Sequence, residues 1–355
     1  MSPHEARRQG FAKALAQVAD TAVVTDLVNI RYLTGFTGSN GAVLMTVDGA
    51  GVLATDGRYG EQAVAEAPGV EVVVTRDLAA ELLRRATDAG ARRVAVERHH
   101  LTVELHDRLV DAAPDVELVD GGRIAEELRI VKDEEELDLL ARACAVTDEV
   151  FAATLPLLRP GVTEREIAWQ MSREMHERDA EPAFPSIVAF GSNSARPHHR
   201  PTDRALEAGD LVKLDFGALV GGYHADMTRT VVLGEPAPWQ RELHDTVREI
   251  QAEARAATVV GAVPVELDTA VGDRIRAAGY DVAHGLGHGV GLEIHESPFL
   301  VPGSSAARLA ERVPVTVEPG VYLPGRGGVR IEDTVVVRAE GAVPLTRSPR
   351  ELLVI

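Results

Sequence analysis

The chain contains little cysteine and no long apolar segment. Cys144 is its sole cysteine in 355 residues, so an intrachain disulfide is impossible and an oxidising compartment is not implied. No run of about 20 apolar residues occurs, and such a run is what an ordinary transmembrane helix needs. The first residues, MSPHEARRQGFAKALAQ, carry charges where a signal peptide needs an apolar core. We therefore expect a cytoplasmic protein that does not enter a membrane.

Positive charge is also scarce. The chain has 37 Lys and Arg against 55 Asp and Glu, which gives a formal net charge of -18 at pH 7. Such an excess of negative charge repels phosphate backbones and anionic lipid surfaces. We therefore predict no nucleic-acid partner and no membrane partner. With 45% apolar residues, the chain can build more than one domain of the usual size, about 100–200 residues.

Residues 1–125 alternate short apolar runs with a helical pattern. The helix is DLAAELLRRATDAG, which closes at Gly90. The predicted strands are TAVVTDLVNIRYLTGF, GAVLMTV, GVLAT, VEVVV, RRVAVE and VELVD. This alternation is typical of a small α/β domain. The turn Asp120-Gly121-Gly122 precedes a long charged helical segment, so we assign the domains to residues 1–125 and 126–355.

The second half repeats one order of elements. A helix to about Leu158 and a helix from a capping box at Thr163 and Glu166 precede one strand pair. A helix from about Trp239 to Val259 and a helix that closes at Gly279 precede another. The sequence therefore predicts a duplicated ααββ domain, and an α+β protein overall.

Each strand pair carries two carboxylates. Asp215 and Asp226 flank the turn-forming ALVGGY, and Glu318 and Glu332 flank LPGRGG. A hairpin holds its strands about 5 Å apart, so two hairpins in one antiparallel sheet would bring all four carboxylates together. Half-buried carboxylates need a compensating cation. With His288 of HGLGHGVG they form a donor set that suits Mn, Co, Fe or Zn and leaves room for water.

Two such ions about 3.5–4 Å apart polarise a carbonyl and activate water, which is the chemistry of amide hydrolysis. The glycines around His288 have a different interpretation. Phosphate binding is disfavoured because the run lacks the Gly-Lys-Ser/Thr ending of a P-loop. We interpret them as positions where the backbone packs closely beside the metal site: Gly285, Gly287, Gly289 and Gly291.

Five motifs in this order and spacing resemble the M24 metallopeptidases of the pita-bread fold. HGLGHGVGLEIHE, EPGVY and RIEDT are similar to the proline-specific branch, the Xaa-Pro dipeptidases (prolidases) and aminopeptidases P. NIRYLTGFTGSNG resembles the amino-terminal domain of the same branch. The resemblance implies a creatinase-like α/β amino-terminal domain followed by a pita-bread catalytic domain.

The resemblance also implies roles for individual residues. The ligands of two divalent ions, with Mn²⁺ favoured and Co²⁺, Zn²⁺ or Fe²⁺ as alternatives, would be Asp215, Asp226, His288, Glu318 and Glu332. Glu318 would also pass a proton to the leaving nitrogen, and His295 would hydrogen-bond the substrate carbonyl. The remaining candidates are His198 as a further catalytic residue, and His284, Arg330 and Tyr322 for substrate binding. His199 and His224 match no family role, so we interpret them as structural.

The implied substrate is a small peptide with proline at its second position. We favour an Xaa-Pro dipeptidase, with an Xaa-Pro aminopeptidase acting on longer peptides as the alternative. A non-catalytic pita-bread binding module is a weaker alternative, because all five ligand positions are filled. The family resemblance implies a homodimer. In that dimer Asp56, Arg58 and Tyr59 could reach a neighbouring site, although a turn with an ordinary salt bridge is the preferred interpretation.

Overall fold

The computed structural model describes residues 2–355, in two compact units that we treat separately. One unit ends at Arg129 and the other spans Ile130–Ile355. The glycine turn expected near a boundary is present, but the helix Ile124–Ile130 follows it directly. The chain therefore divides at the end of that helix. The assignment of domains to 1–125 and 126–355 stays a prediction.

The first unit is a mixed six-stranded sheet covered by helices. Its strands are β1 Thr21–Val24, β2 Gly41–Thr46, β3 Gly51–Thr55, β4 Glu71–Val74, β5 Arg93–Val96 and β6 Glu117–Asp120. They lie in the order β4-β3-β2-β1-β5-β6. The helices are α1 Pro3–Leu15, α2 Leu27–Thr34, α3 Gly60–Glu66, α4 Leu78–Asp88, α5 Val103–Ala112 and α6 Ile124–Ile130.

One predicted strand of this unit is wrong in its second half. TAVVTDLVNIRYLTGF continues from β1 into α2, which Asp26 caps through its side chain and which ends at Gly35 with φ 89°. Asp26 accepts a hydrogen bond from the backbone N–H of Val28 (2.9 Å). An aspartate before the first turn and a left-handed glycine after the last turn are ordinary helix boundaries. Val28 and Ile30 have high strand propensity, but tertiary packing overrides it here.

The second unit contains the predicted duplication. Its helices are α7 Glu134–Thr154, α8 Glu164–His176, α9 Pro238–Ala257 and α10 Pro264–Ala277, with 3-10 turns at Leu155–Leu157 and Gly191–Ala195. The first helix pair is followed by β7 Glu181–Pro182, β8 Ile187–Phe190, β9 Leu211–Phe216, β10 Ala218–Val220, β11 Tyr223–His224 and β12 Met227–Val232. The second is followed by β13 Gly287–Gly289, β14 Glu296–Leu300, β15 Pro314–Val317, β16 Gly320–Leu323, β17 Gly327–Arg330, β18 Asp333–Arg338 and β19 Gly341–Pro344.

Local sequence explains where these helices begin. Asp133 with Glu136 starts α7, and Thr163 with Glu166 starts α8, both through reciprocal capping boxes. Each helix pair buries its apolar face against its own strands. One core lies between α7, α8 and the strands β8, β9 and β12, and the other lies between α9, α10 and the strands β14, β15 and β18. The α+β class and the ααββ duplication are confirmed.

The carboxylate-bearing strands do not lie in one regular sheet, as the sequence analysis supposed. Strands β9 and β12 pair in a three-stranded sheet, whereas β15 and β18 pair in a five-stranded sheet. The ladder between β15 and β18 is interrupted beyond Val317 and Asp333, and β16 and β17 form a separate hairpin. The two sheets meet where the N–H of Glu332 donates to the carbonyl of Thr228 (3.1 Å).

In the part of the chain from residue 2 to 355, no helix is both long enough and apolar enough to span a membrane. The longest, α7, has 21 residues. Its first turn is Glu134-Glu135-Glu136, which a bilayer interior would not accommodate.

Candidate metal centre

The four carboxylates converge at the ends of strands. Asp215 lies within β9 opposite Thr228 of β12, and Asp226 immediately precedes β12. Glu318 follows β15, and Glu332 precedes β18. All four line one cavity of about 280 Å³ together with His288. Two strand pairs from distant parts of the chain therefore place their acids around a common volume, as the sequence predicts.

Three of these side chains are close enough to share one ion. Ligand atoms of Asp226, His288 and Glu332 all lie within 4.8 Å of one another, and the three residues are buried. Nε2 of His288 is 3.6 Å from Oδ2 of Asp226 and 3.4 Å from Oε1 of Glu318. Carboxylate and imidazole groups at such spacings are typical ligands of divalent transition metals.

The protonation of His288 supports a cation at this point. Its Nδ1 lies 3.0 Å from the carbonyl of Gly289, and this carbonyl can only accept, so Nδ1 carries the proton. Burial and the neighbouring His295 lower the pKa of His288 to about 4. The ring is therefore neutral near pH 7 and presents an Nε2 lone pair to two carboxylates. Three electron-rich groups facing each other fit a metal ion between them.

The carboxylates themselves are poorly compensated by the protein. Burial and the charge of Glu332 raise the pKa of Asp226 well above its ordinary value, and burial and Glu318 do the same for Glu332. Burial also raises the pKa of Glu318 to about 7. Oδ1 of Asp226 is buried without a hydrogen-bond partner in residues 2–355. A buried oxygen without a donor is costly in a protein interior and is an expected feature of a metal ligand.

Asp215 differs because a guanidinium group compensates it. Nη2 of Arg330 contacts Oδ2 of Asp215 in a buried ion pair. Nη1 of Arg330 donates to the hydroxyl of Tyr322 (2.6 Å), and this hydroxyl lies 2.9 Å from Nε2 of His284. Nδ1 of His284 is 2.8 Å from the carbonyl of Gly285, so Nε2 is the acceptor in this chain of bonds. The three predicted substrate-binding residues are thus connected, although Tyr322 does not itself line the cavity.

Two further predicted histidines face the cavity from its solvent side. The ring of His295 packs edge-on against His288, with centroids 4.3 Å apart, and both His295 and His198 line the cavity. Burial and the nearby His198 lower the pKa of His295. A neutral imidazole retains one N–H donor. His199 and His224 lie outside the cavity wall, where His199 bonds Glu164 and His224 bonds the Gly291 carbonyl.

Glycine backbone forms part of the site. A Cβ at Gly287 would lie 2.2 Å from the carbonyl oxygen of Thr316, and one at Gly289 would lie 2.3 Å from that of Ser297. Neither position has room for any side chain. Strand β13, which carries His288, therefore runs in direct contact with its neighbours. The predicted role of these glycines in close backbone packing agrees with this geometry.

Two threonines at the site were not predicted. Thr228 donates to Oε2 of Glu332 (2.6 Å) and accepts from Nε of Arg330 (3.0 Å). Thr316 accepts from the N–H of His288 (3.0 Å) and donates to Oε1 of Glu318 (3.2 Å). Strand alternation offered a signal, since each threonine is two positions from a predicted acid and side chains repeat on one face every two residues. Both hydroxyl groups orient carboxylates toward the cavity.

An apolar wall completes the cavity. It consists of Phe184, Ile187, Ile294, Phe299 and Val301. Most of these residues come from connecting segments or strand ends, where no periodic pattern marks a common face, so the sequence contained no signal for them. The cavity therefore combines a polar floor of acids and imidazoles with one apolar side. Such a combination binds a small molecule with a polar reactive centre.

Oxygen and imidazole donors around a buried cavity are the ligand set of metal-dependent hydrolases, the class that this fold and site define. The chain belongs to metallopeptidase family M24, whose family model matches residues 138–339. The Creatinase/Prolidase N-terminal domain matches residues 7–131. The predicted fold, with its creatinase-like and pita-bread parts, is confirmed. The chain is a peptidase, and its family implies divalent metal ions.

Named relatives support this placement. The chain is similar to the Xaa-Pro dipeptidase of Pyrococcus furiosus, with 42% identity over 65% of this chain and 67% of that protein. Its structure is similar to that of the Xaa-Pro dipeptidase from Bacillus anthracis, with a TM-score of 0.94 and 35% identity over 99% and 100% of the two chains. It is also similar to the X-Pro aminopeptidase from Thermotoga maritima, with a TM-score of 0.89 and 34% identity over 96% and 97% of the two chains.

Proposed function

We propose that this chain is an Xaa-Pro dipeptidase, which hydrolyses the imide bond between a first residue and a following proline. The single observation that carries the proposal is the convergence of four carboxylates and an unprotonated Nε2 of His288 in one cavity. The similarity to Xaa-Pro dipeptidases supports the choice of substrate. We propose Mn²⁺ as the native ion, with Co²⁺, Zn²⁺ or Fe²⁺ as the alternatives.

The donor set fits two divalent ions. The residues that would hold them are Asp215, Asp226, His288, Glu318 and Glu332. Four negative charges would be balanced by two doubly charged ions, and the charge of Arg330 would then be available to a substrate anion. Bound divalent ions supply Lewis acidity and bring the pKa of water toward neutrality.

The protein residues would perform the remaining steps. Glu318 lies at the cavity wall, where it can accept a proton and deliver it to the leaving nitrogen. This transfer is needed because an amine anion is a very poor leaving group. His295 would donate its N–H to the substrate carbonyl oxygen as negative charge develops there. Thr316 would hold Glu318 in position through its 3.2 Å hydrogen bond.

Substrate recognition would fall to the groups that adjoin the carboxylates in the cavity wall. Arg330 lines the cavity and can attract the free carboxylate of the proline residue, because guanidinium groups form charge-assisted hydrogen bonds with carboxylates. Tyr322 and His284 hold this guanidinium through the bonds described above. His198 would contact the proline from the cavity rim. A binding group for the free carboxylate is what distinguishes a dipeptidase from an enzyme that leaves this direction open.

The cavity size supports a short substrate. Its volume of about 280 Å³ lies at the lower limit of pockets for drug-sized ligands, about 300–1,000 Å³. A dipeptide suits this volume better than a longer peptide does. The alternative, an Xaa-Pro aminopeptidase, is favoured by the similarity to the Thermotoga maritima enzyme. It is also favoured by Phe299, which is 41% exposed at the cavity wall and leaves room at the mouth.

The deciding experiment compares three peptides. Chelator-treated protein is incubated with Ala-Pro, Ala-Pro-Ala or Ala-Ala, with and without added Mn²⁺. Cleavage of Ala-Pro alone, and only with metal, is the expected result. Metal-dependent cleavage of Ala-Pro-Ala between Ala and Pro would identify an aminopeptidase. If no peptide is cleaved under either condition, the proposed function is wrong.

The sequence analysis leaves two further predictions. The first is a homodimer, which light scattering coupled to size exclusion would test. The second is a cytoplasmic location, which fractionation of the source cells would test. Neither is required for the chemistry proposed above, because all the candidate residues belong to one unit of one chain.

A further inference from the structure

The exposed His198 has no side-chain anchor of its own. It lies at the rim of the cavity, and within residues 2–355 its side chain has no hydrogen-bond partner. Its ring must therefore be placed by the backbone on either side of it. The preceding residue is Pro197, whose ring fixes its own φ angle. Segment 190–202, which carries His198, is held by two buried polar side chains outside the cavity wall, Glu164 and Lys213.

Glu164 holds the segment at four residues. This first residue of α8 is fully buried, with 0% exposure. Its Oε1 accepts from the N–H of Phe190 (2.9 Å) and from Nδ2 of Asn193 (2.9 Å). Its Oε2 accepts from Nε2 of His199 (2.8 Å) and from the N–H (2.9 Å) and hydroxyl (2.6 Å) of Thr202. One carboxylate thus binds both ends of the segment and the residue next to His198.

The surroundings of Glu164 favour its ionised carboxylate. Burial would raise the pKa of Glu164, but hydrogen bonds from Thr202, Phe190 and Asn193 outweigh it and hold the pKa below its ordinary value. The carboxylate also lies in the first turn of α8, where the helix dipole favours negative charge. An ionised carboxylate has only acceptor sites, so both of its oxygens face donors, two at Oε1 and three at Oε2.

Lys213 holds the other side of His198. It is fully buried in β9, and its Nζ donates to the carbonyl oxygens of Arg196 (2.6 Å) and Pro197 (3.2 Å). Nη1 of Arg330 adds a longer bond to the Pro197 carbonyl (3.4 Å). The peptide before His198 is therefore bonded to the buried side chains of Lys213 and Arg330, and the side chain after it is bonded to Glu164.

We propose that Glu164 and Lys213 are positioning residues that fix His198 over the reactive centre. Neither lies in the cavity wall, so neither can touch the substrate. They act through the backbone of segment 190–202, and His198 is the residue through which their loss reaches the reaction. This inference rests on the proposed function, because the position of His198 matters to turnover only if the site hydrolyses a peptide.

Glu164→Gln is the first test. The variant keeps the size of the side chain, but its amide NH₂ must face donors on one of the two sides, and those donors lose their acceptor. Hydrogen exchange followed by mass spectrometry should show at least about tenfold faster exchange in segment 190–202, because local opening becomes easier. Glu177→Gln is the matched control, since Glu177 is exposed at the other end of α8. It should leave that exchange and the turnover unchanged.

A double-mutant cycle separates positioning from general destabilisation. With Mn²⁺ and Ala-Pro, kcat/KM should fall at least about tenfold in Glu164→Gln, and the same substitution should have little further effect in a His198→Ala background. Metal binding by Glu164→Gln, measured by titration calorimetry, should match that of the wild type. Equal losses in both backgrounds would overturn the proposal, as would unchanged exchange in segment 190–202.

Two further cases need a separate measurement: a variant that does not fold, and a wild type that does not cleave Ala-Pro. If Glu164→Gln does not fold, Lys213→Met takes its place with the same readouts, because it removes the bonds to the carbonyls of Arg196 and Pro197 and keeps an unbranched apolar side chain that is only one atom shorter. If the wild type itself leaves Ala-Pro intact with Mn²⁺, the proposed function fails. The exchange measurement then still decides whether Glu164 and Lys213 hold the segment.

Discussion

Replacing Asp226 by asparagine should have two opposite effects on thermal stability. Without metal, the substitution removes one charge from a buried anionic cluster and should raise the melting temperature. With metal, it removes a ligand, so it should abolish most of the stabilisation that Mn²⁺ gives the wild type. A residue with only a packing role would produce neither pattern. The prediction thus tests the metal centre without any assay of turnover.

The geometry sets the size of the first effect. Ligand atoms of Asp226 and Glu332 lie within 4.8 Å, and two unit charges at that distance repel by about 3.5 kcal/mol at an effective dielectric constant of about 20. Carboxylates with a raised pKa take up protons and so relieve part of this repulsion. We therefore expect Asp226→Asn to raise the free energy of unfolding of the metal-free protein by about 1–3 kcal/mol. In a domain of about 150–250 residues, 1 kcal/mol corresponds to about 2–4 °C. An increase of about 2–12 °C in the melting temperature is expected.

The amide should also fit the metal-free site. Oδ1 of Asp226 has no hydrogen-bond partner in residues 2–355, and Oδ2 lies 3.6 Å from Nε2 of His288. This Nε2 is unprotonated, so an asparagine NH₂ can donate to it where a carboxylate cannot. The second effect follows from linkage. Metal at about 100 times its dissociation constant stabilises the wild type by about 2.7 kcal/mol.

Differential scanning calorimetry of chelator-treated protein, with and without saturating Mn²⁺, measures both effects. Glu332→Gln should behave in the same way, and both variants should lose turnover. Glu311→Gln, at an exposed position, is the control and should match the wild type in both conditions. A metal-free Asp226→Asn protein that melts no higher than the wild type, or one that retains the full response to Mn²⁺, would refute the reasoning.

Three further outcomes are expected. His295→Ala should lower kcat by about 10² or more in steady-state assays, because the donor to the developing oxyanion is lost. Lys132→Met should lower the free energy of unfolding in urea by about 3–5 kcal/mol, because it leaves the buried carboxylate of Glu296 without its counterion. Burial lowers the pKa of His244 to about 4, so the unfolded chain takes up this proton first as the pH falls. Stability is then present above about pH 6.5 and is lost toward about pH 4, by about 2 kcal/mol at pH 5, and His244→Gln should remove that loss.

Each of these outcomes has its own control. For His295→Ala the control is His176→Ala, which changes an exposed histidine of the same unit and should leave kcat unchanged. An unchanged kcat in His295→Ala itself would mean that His295 has only a packing role. Lys132→Met combined with Glu296→Gln should recover most of the stability, so equal losses in the single and double variants would exclude the ion pair as the cause. For His244, parallel pH profiles of wild type and variant between pH 4 and pH 7 would contradict the assignment.

The sequence predicted most of the fold, because its signals were local. Capping residues Thr163 and Glu166, the acidic start of α7 and the glycine-rich turns mark helix boundaries wherever they occur. The strand predicted over Leu27–Thr34 failed because β-branched residues obscured a helix whose boundaries, Asp26 and Gly35, were also in the sequence. The single antiparallel sheet failed for another reason, since the break in the ladder beyond Val317 depends on tertiary packing.

The site was predicted as a set of residues and not as a set of contacts. Motifs located the acids and histidines that the structure brings to one cavity. They could not indicate that Arg330 pairs with Asp215, because the partners are 115 positions apart. Nor could they indicate that Glu164 and Lys213 hold the segment of His198. Partners so distant in sequence are brought together by the packing of whole helices and strands. No local sequence pattern encodes that packing.

The closeness of β13 to its neighbours also limits how this enzyme can diversify. Gly287 and Gly289 leave no space for a Cβ. A substitution at either position beside His288 would therefore disrupt the backbone packing before it could alter activity. The wall formed by Phe184, Ile294, Phe299 and Val301 carries no such constraint. A library aimed at new substrate selectivity should therefore randomise that wall and leave the glycine strand untouched.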